Sequence, residues 1–287
     1  MQSSSHRHQT KNKNNNLVVP VVQANQEVYA GRNREDRSNM EEEWIAGKHS
    51  VTEALRSGRT INKIWIADTA QKHLTQPIIA EAKKLGIVIQ HVDKRKLDQT
   101  VPGIQHQGVV AQAAPYAYAE VEDILEAAKS KNEHPFLILL DEIEDPHNLG
   151  SILRTADCTG AHGVIVPKRR SASVTATVSK TSAGAAEYVP VARVSNLAQT
   201  IDRLKEEGVW VVGTDVTAQE AVFGNGVFTG PVALVIGNEN KGMGRLIREK
   251  CDVLVKLPMQ GQINSLNASV AAGVVMYEVL RSRQAQG

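Results

Sequence analysis

Cysteine is scarce in this chain, aromatic residues fill only 4% of its 287 positions, and lysine plus arginine barely exceed aspartate plus glutamate, 33 against 31. Two cysteines, Cys158 and Cys251, cannot build the disulfide framework of a small secreted domain, and their separation suits no metal site. A reduced, cytoplasmic protein is expected. The nine histidines show no ligand spacing either, so no metal is expected. No apolar run is long enough to cross a membrane, and the stretch 17–22 is too short, and interrupted by Pro20, to serve as a signal-peptide core. Near-neutral net charge does not announce a nucleic-acid partner, whose usual footprint is a strongly basic domain. The glycines at 237, 242 and 244 fit neither the GxGxxG fingerprint nor a P-loop, which removes those forms of nucleotide binding.

The charge that is present is uneven. The first forty residues hold six basic side chains (Arg7, Lys11, Lys13, Arg32, Arg34, Arg37) against three acidic ones (Glu27, Glu35, Asp36), or +3; 27 against 28 leaves the remainder at −1. Residues 1–40 are rich in Ser, His, Gln and Asn and cannot bury enough apolar surface to offset ordering entropy, so a disordered basic tail is expected. Such a tail is either an arm attracted to phosphates or a solvated extension.

From Trp44 the pattern turns globular and alternates: helix 51–56, strand 61–67, helix 77–85 closed by Gly86, strand 87–92, helical turn 94–99 and strand 108–114. This predicts a small α/β domain over 41–116. Its loops carry Lys48 and His49, Lys94 to Lys96, and His106 with Gln107, which are phosphate and sugar donors or merely solvated groups. Residues 117–135 read as a linker with an acidic amphipathic helix at 121–129. A second domain, 136–287, opens on FLILL (136–140), the continuous apolar run of a strand covered on both faces. A turn at 145–148 leads to a helix over 149–159, stopped by Gly160. Strands at 164–167, 189–194, 209–213 and 232–236, with helices at 175–187 and 197–207, imply a mostly parallel sheet of the α/β class, doubly wound on pattern alone.

The most informative stretch is 232–276. A buried strand breaks into the glycine-punctuated turn 237–242, and a second apolar segment, 253–258, ends in the loop 259–264. The run 268–276 is apolar on nearly every side and is expected to be a buried helix, with Ser265 and Asn267 as capping types at its mouth. In open α/β sheets ligands bind outside the carboxyl ends of strands, which is where both loops would lie. Taken singly, Gly237 and Gly242 serve turns, Glu239 is a solvated carboxylate, and Ser265 and Asn267 are ordinary caps. Arg154 alone reads as a helix-surface arginine.

Together, NLGSILR (148–154), IGNENKG (236–242) and LPMQGQINSLNAS (257–269) closely resemble the three motifs of the SpoU, or TrmH, branch of the SPOUT methyltransferases. The resemblance runs from about residue 44 to the C-terminus and is strongest to the bacterial 23S ribosomal RNA guanosine 2'-O-methyltransferases. It implies an α/β trefoil knot from residue 232 onward, a small N-terminal RNA-binding domain with Lys48 and His49 among its contacts, and a homodimer with sites near the subunit interface. It further implies S-adenosylmethionine as cofactor, held around Thr214, Gly237, Leu257 and Leu266. Arg154, Asn148, Glu239, Asn267 and Ser265 match the family's catalytic positions, with Arg154 also on the RNA. The matching arginine is proposed to take the 2'-hydroxyl proton, a role at odds with a guanidinium that stays protonated above pH 12; phosphate positioning is chemically easier. Alternatives are the same reaction on transfer RNA or another ribosomal nucleotide, or a noncatalytic RNA-binding factor in ribosome assembly.

Overall fold

The computed structural model describes residues 43–224, 226–263 and 265–285, so the expected tail over 1–40 lies outside the described residues. Two α/β units succeed one another along the chain. The first is a four-stranded sheet in the order β1-β4-β2-β3, made of β1 (Glu43–Ala46), β2 (Ile61–Ala67), β3 (Val88–Val92) and β4 (Val109–Ala113). β4 runs antiparallel to β1 and β2, and β3 parallel to β2. Alternation sorts its two faces. Ile45, Ile64 and Ile66 meet helices α1 (Lys48–Arg56) and α2 (Lys72–Lys84), while Ala46, Trp65 and Ala67 meet Leu97 of the short α3 (Lys94–Thr100). α2 starts at Lys72 and carries Pro77 inside it, contrary to the expected start at 77. A proline near the N-terminal turn forfeits one bond to a preceding carbonyl and leaves the rest of the helix intact.

The second unit is a seven-stranded parallel sheet in the order β7-β6-β5-β10-β8-β11-β9. Its strands are β5 (Phe136–Leu140), β6 (Gly163–Pro167), β7 (Val191–Val194), β8 (Trp210–Thr214), β9 (Glu220–Ala221), β10 (Val232–Ile236) and β11 (Val253–Lys256). The central β5 and β10 are buried throughout, as expected of strands covered on both faces. Against one face lie α5 (Pro146–Thr159), α6 (Ala176–Thr181) and α9 (Ala268–Gln284); against the other lie α4 (Val121–Ser130), α7 (Leu197–Glu206) and α8 (Arg245–Lys250). The segment read as a linker is thus packed: Ile124, Leu125 and Ala128 of α4 are buried on the second sheet.

Two helix expectations fail. The helix expected over 175–187 stops after Thr181, where Ala183 (φ +54°) and Gly184 (φ +95°) turn the chain into a single 3-10 turn, Ala185–Glu187. A Cβ at Gly184 would lie 2.6 Å from that of Glu53, so the break is where the second unit meets α1. α9 is not buried all round: Ala272, Val275, Met276 and Val279 are, but Val270 and Tyr277 are 51% and 53% exposed. A helix that is apolar on every side cannot reveal from periodicity which side stays uncovered.

The units are joined by more than the chain. Arg59 donates to Glu187 across the junction and to Glu43 within its own sheet, both at 2.7 Å, and also to the Ala114 carbonyl. Tyr188 donates to Glu53 at 2.5 Å, and Ser50 to the Ser179 carbonyl at 3.0 Å. Burial raises the Glu187 carboxyl, with the guanidinium pulling the other way.

Candidate active site

Parallel strands of one sheet place their carboxyl ends on one edge, and four of them, β5, β8, β10 and β11, open there into loops. After β10 the chain turns so tightly that a Cβ at Gly237 would sit 2.4 Å from the Gly242 carbonyl carbon, which only glycine allows. Asn238 and Gly242 exchange backbone hydrogen bonds at 3.0 and 2.8 Å, and the Asn238 carboxamide oxygen accepts from the amides of Asn240 and Lys241. This closed turn holds Glu239 out toward α5 and α9.

Glu239 Oε1 accepts from Asn148 Nδ2 at 2.8 Å, from the Ala268 amide at 3.1 Å, and from Asn267 Nδ2 in a short contact. Asn267 Nδ2 gives its second hydrogen to Asn148 Oδ1 at 3.0 Å. Its Oδ1 accepts from the amides of Ser269 and Val270 and caps α9, as its residue type predicts. Asn148 itself sits in the first turn of α5, whose N-cap, Asp145, accepts from the His147 amide at 2.8 Å. Three loops far apart in sequence are therefore fastened through one carboxylate.

Beside this knit lies a cleft of about 550 Å³. Thr214, Gly237, Leu257 and Leu266 all line it, with Glu239 and Ser265 on its wall. Asp215, also lining it, accepts from the Thr217 amide and from Arg248 Nε, both at 2.7 Å. Burial pushes its carboxyl up, but the hydrogen bonds from Thr217 and the Arg248 guanidinium outweigh that and hold it below the ordinary range. Asp215 and Thr217 were missed in the sequence; the signal available was an Asp-x-Thr turn directly after an apolar strand. Asp141, buried at the end of β5, accepts from the Gly244 amide at 2.7 Å and anchors the far side of the glycine turn; burial raises its pKa.

Arg154 stands apart. Seven residues separate Asn148 from Thr155, two helical turns, so both lie on the row facing α9, where Thr155 approaches Gly273. Arg154 falls instead on the row of His147 and Gly150, which faces Thr181 of α6. It is exposed, lines no part of the cleft, and makes no hydrogen bond or ion pair among the described residues. Lys48 and His49 are farther off, at the start of α1; Lys48 lines a separate cleft of about 690 Å³ with Lys94 and His106. Nearby, the Lys180 ammonium packs over Gly47, its pKa lowered by burial and then by Lys48.

Comparison with known proteins decides the family. Residues 135–277 match the SpoU rRNA Methylase family, and 44–119 match the RNA 2'-O ribose methyltransferase substrate binding family. Over 249 residues the chain is 57% identical to YacO of Bacillus subtilis (strain 168), provisionally named a TrmH family tRNA/rRNA methyltransferase, spanning 87% of this chain and 99% of that one. The chain belongs to the SpoU family of RNA methyltransferases. A Staphylococcus haemolyticus relative with the same provisional family name is 50% identical over 249 residues, covering 86% of this chain and 99% of its own. The SpoU methyltransferase AviRb of Streptomyces viridochromogenes, solved in complex with the cofactor AdoMet, superposes with a TM-score of 0.72 at 26% identity over 92% of this chain and 98% of that one. In this SpoU chain the geometry supplies a cleft in the size range of small-molecule sites, a polar rim with its donors already committed, and, on α5, a guanidinium with no partner among the described residues.

Proposed function

We propose that the chain transfers the methyl group of S-adenosylmethionine to a ribose 2'-hydroxyl of RNA, with a guanosine of 23S ribosomal RNA as target. One observation carries the reading: Asn148, Glu239 and Asn267 interlock at the rim of a cleft lined by Thr214, Gly237, Leu257 and Leu266. The cleft suits the cofactor. Its volume lies in the range of small-molecule sites, backbone can approach closely at Gly237, and Leu257 and Leu266 offer apolar walls for an adenine. When bound there, S-adenosylmethionine supplies an electrophilic sulfonium methyl.

The residues then have to bring a ribose oxygen into line with that methyl, and fixing both reactants removes much of the entropic barrier. Asn148, Glu239 and Asn267 hold the three loops in register, and Ser265 lines the mouth with a hydroxyl that has no partner among the described residues. Arg154, always protonated, fits bidentate contact with the target phosphate and stabilisation of the developing alkoxide better than proton removal.

Because Arg154 lines no part of the cleft in its own chain, the reading includes a homodimer. Val270, Val274 and Tyr277 of α9, with Phe223 beside them, form an exposed apolar surface of the kind that marks a protein contact, and Thr155, the neighbour of Arg154, borders it. A second copy seated there sets each Arg154 beside its partner's cleft. The trefoil knot belongs to the same reading: β10 inserts between β5 and β8, and β11 between β8 and β9, so late strands lie between earlier ones.

Radiolabelled S-adenosylmethionine and total RNA from cells lacking the protein test this. Label is expected in 23S ribosomal RNA, mapping to a guanosine 2'-O position. Label confined to transfer RNA moves the substrate to the class that the relatives' names also allow, and no label in any RNA leaves only a noncatalytic RNA-binding factor.

A further inference from the structure

Among the described residues, part of one face of the first sheet is left uncovered. α3 shields the end near Ala67 and Val110 through Leu97, but Val88 on the same face is 55% exposed, and Lys63 and Gln90 flank it. On this open part Trp44 of the edge strand β1 leans against Trp65 of β2, ring centroids 4.8 Å apart and tilted by 32°. Trp65 is nearly buried and fixed, its indole N–H donating to Gln90 at 2.8 Å; Trp44 is only half-buried. Two ammonium groups rest on the Trp65 ring, Lys96 at 4.4 Å and Lys63 at 4.9 Å from its centroid. Neither pairs with a carboxylate among the described residues. The acidic side chains of α3 and its cap are engaged elsewhere, Asp93 with the Arg95 amide and Asp98 with His106.

An aromatic ring with one partly open side, flanked by two ordered cations that lack counter-ions, is what unpaired RNA recognises: bases stack on the ring and the cations meet the phosphates. Duplex RNA buries its base faces and would leave the indole unused. We propose that Trp44, with Lys63 and Lys96 held on Trp65, is a stacking platform for an unpaired segment of the substrate RNA. The proposal rests on the RNA-methyltransferase reading for the identity of that RNA, and it concerns no residue of the cleft.

The full chain is titrated with a short unstructured fluorescent oligoribonucleotide, and each variant's thermal melt is recorded alongside. Trp44→Ala is expected to weaken binding about tenfold, and Trp44→Phe to hold it within about twofold. Lys63→Gln and Lys96→Gln, surface changes that leave the indoles packed, are each expected to flatten the log–log salt dependence by about 0.7, one phosphate on a single strand. These two decide the matter if Trp44→Ala does not fold. Affinity and salt slope unchanged in all variants overturn the platform, as does equal loss in Trp44→Phe and Trp44→Ala. A change of oligomeric mass in Trp44→Ala with unaltered RNA affinity overturns it too, by making the face a protein contact. The two readings fail separately: methyl transfer with Trp44-independent binding removes the platform alone, and Trp44-dependent binding without methyl transfer to any RNA removes the catalytic reading alone.

Discussion

The rim at Glu239 and the outer row of α5 are built in opposite ways. At the rim, the Asn267 amide gives both its hydrogens to side chains of other loops, and one carboxylate oxygen takes three donors. On α5, more than a turn beyond Asn148, Arg154 has no partner among the described residues. On the proposed reading, a preformed cleft and a cation with no partner among the described residues are a site whose small-molecule half is finished within one chain and whose RNA half is finished by something else. The apolar face of α9 next to Thr155 makes a second copy the natural candidate for completing it.

The sharpest way to break this contrast is at the free end. Arg154→Ala is expected to lower methyl transfer about 10²–10³-fold, and Arg154→Lys nearly as far, because an ammonium cannot reproduce a planar two-point contact. Steady-state incorporation of labelled methyl measures it; near-normal turnover by the lysine variant removes that role. Mixing Arg154→Ala chains with chains disabled at Gly237 then separates a shared site from a private one. If Arg154 serves its partner's cleft, mixed dimers regain one working site of two, roughly a quarter of wild-type activity overall. If it serves its own, mixing restores nothing.

The next effect is at the uncovered helix. Tyr277→Glu places a charge on the apolar face and is expected to give a folded monomer by light scattering, with activity down at least about tenfold. A monomeric variant with full activity would remove the second copy from the site. On the finished side, Glu239→Gln turns an acceptor into a group that also donates, opposite the donors of Asn148 and Asn267. A loss of about 1–3 kcal/mol in cofactor binding is expected by calorimetry.

The smallest effect is a pH signature at Asp141. Burial, only partly offset by the Gly244 amide, raises this carboxyl above its ordinary value of 3.8, so the folded chain holds the proton more firmly than the unfolded one. Stability from this group is therefore lost as pH climbs through the window between the two values. Asp141→Asn keeps an acceptor for Gly244 and removes the titration. Its melting temperature should gain on the wild type as pH rises above about 4, and a constant difference would assign the raised value elsewhere.

The features legible in the sequence are those set by local chemistry. Val232–Ile236 is apolar without a break, Gly237 and Gly242 punctuate the turn after it, and Asn267 precedes a helical run, so strand, turn and cap lie where their residue types ask. The features that stay hidden depend on partners distant in the chain. Nothing in VALVI tells that β10 lies between β5 and β8, because a strand covered on both faces looks the same beside any neighbour. The edge strand β1, four residues long, and the two-residue β9 are too short for alternation to register. Arg154 is the instructive case: its place in a motif suggested the cleft, while its six-residue offset from Asn148 already put it on a different row of the helix.

One junction reaches further than its size suggests. Arg59 is gripped by Glu187 of the second unit and by Glu43 of the first, with little of any of these contacts open to water except at Glu43. Losing one partner from such a buried pair costs about 3–5 kcal/mol, so a motion that parts the two units at this junction is opposed. An RNA caught by the small unit would meet the cleft at a set number of nucleotides along its length. On the proposed reading, that guanidinium sets the distance along an RNA between its grip on the small unit and the cleft.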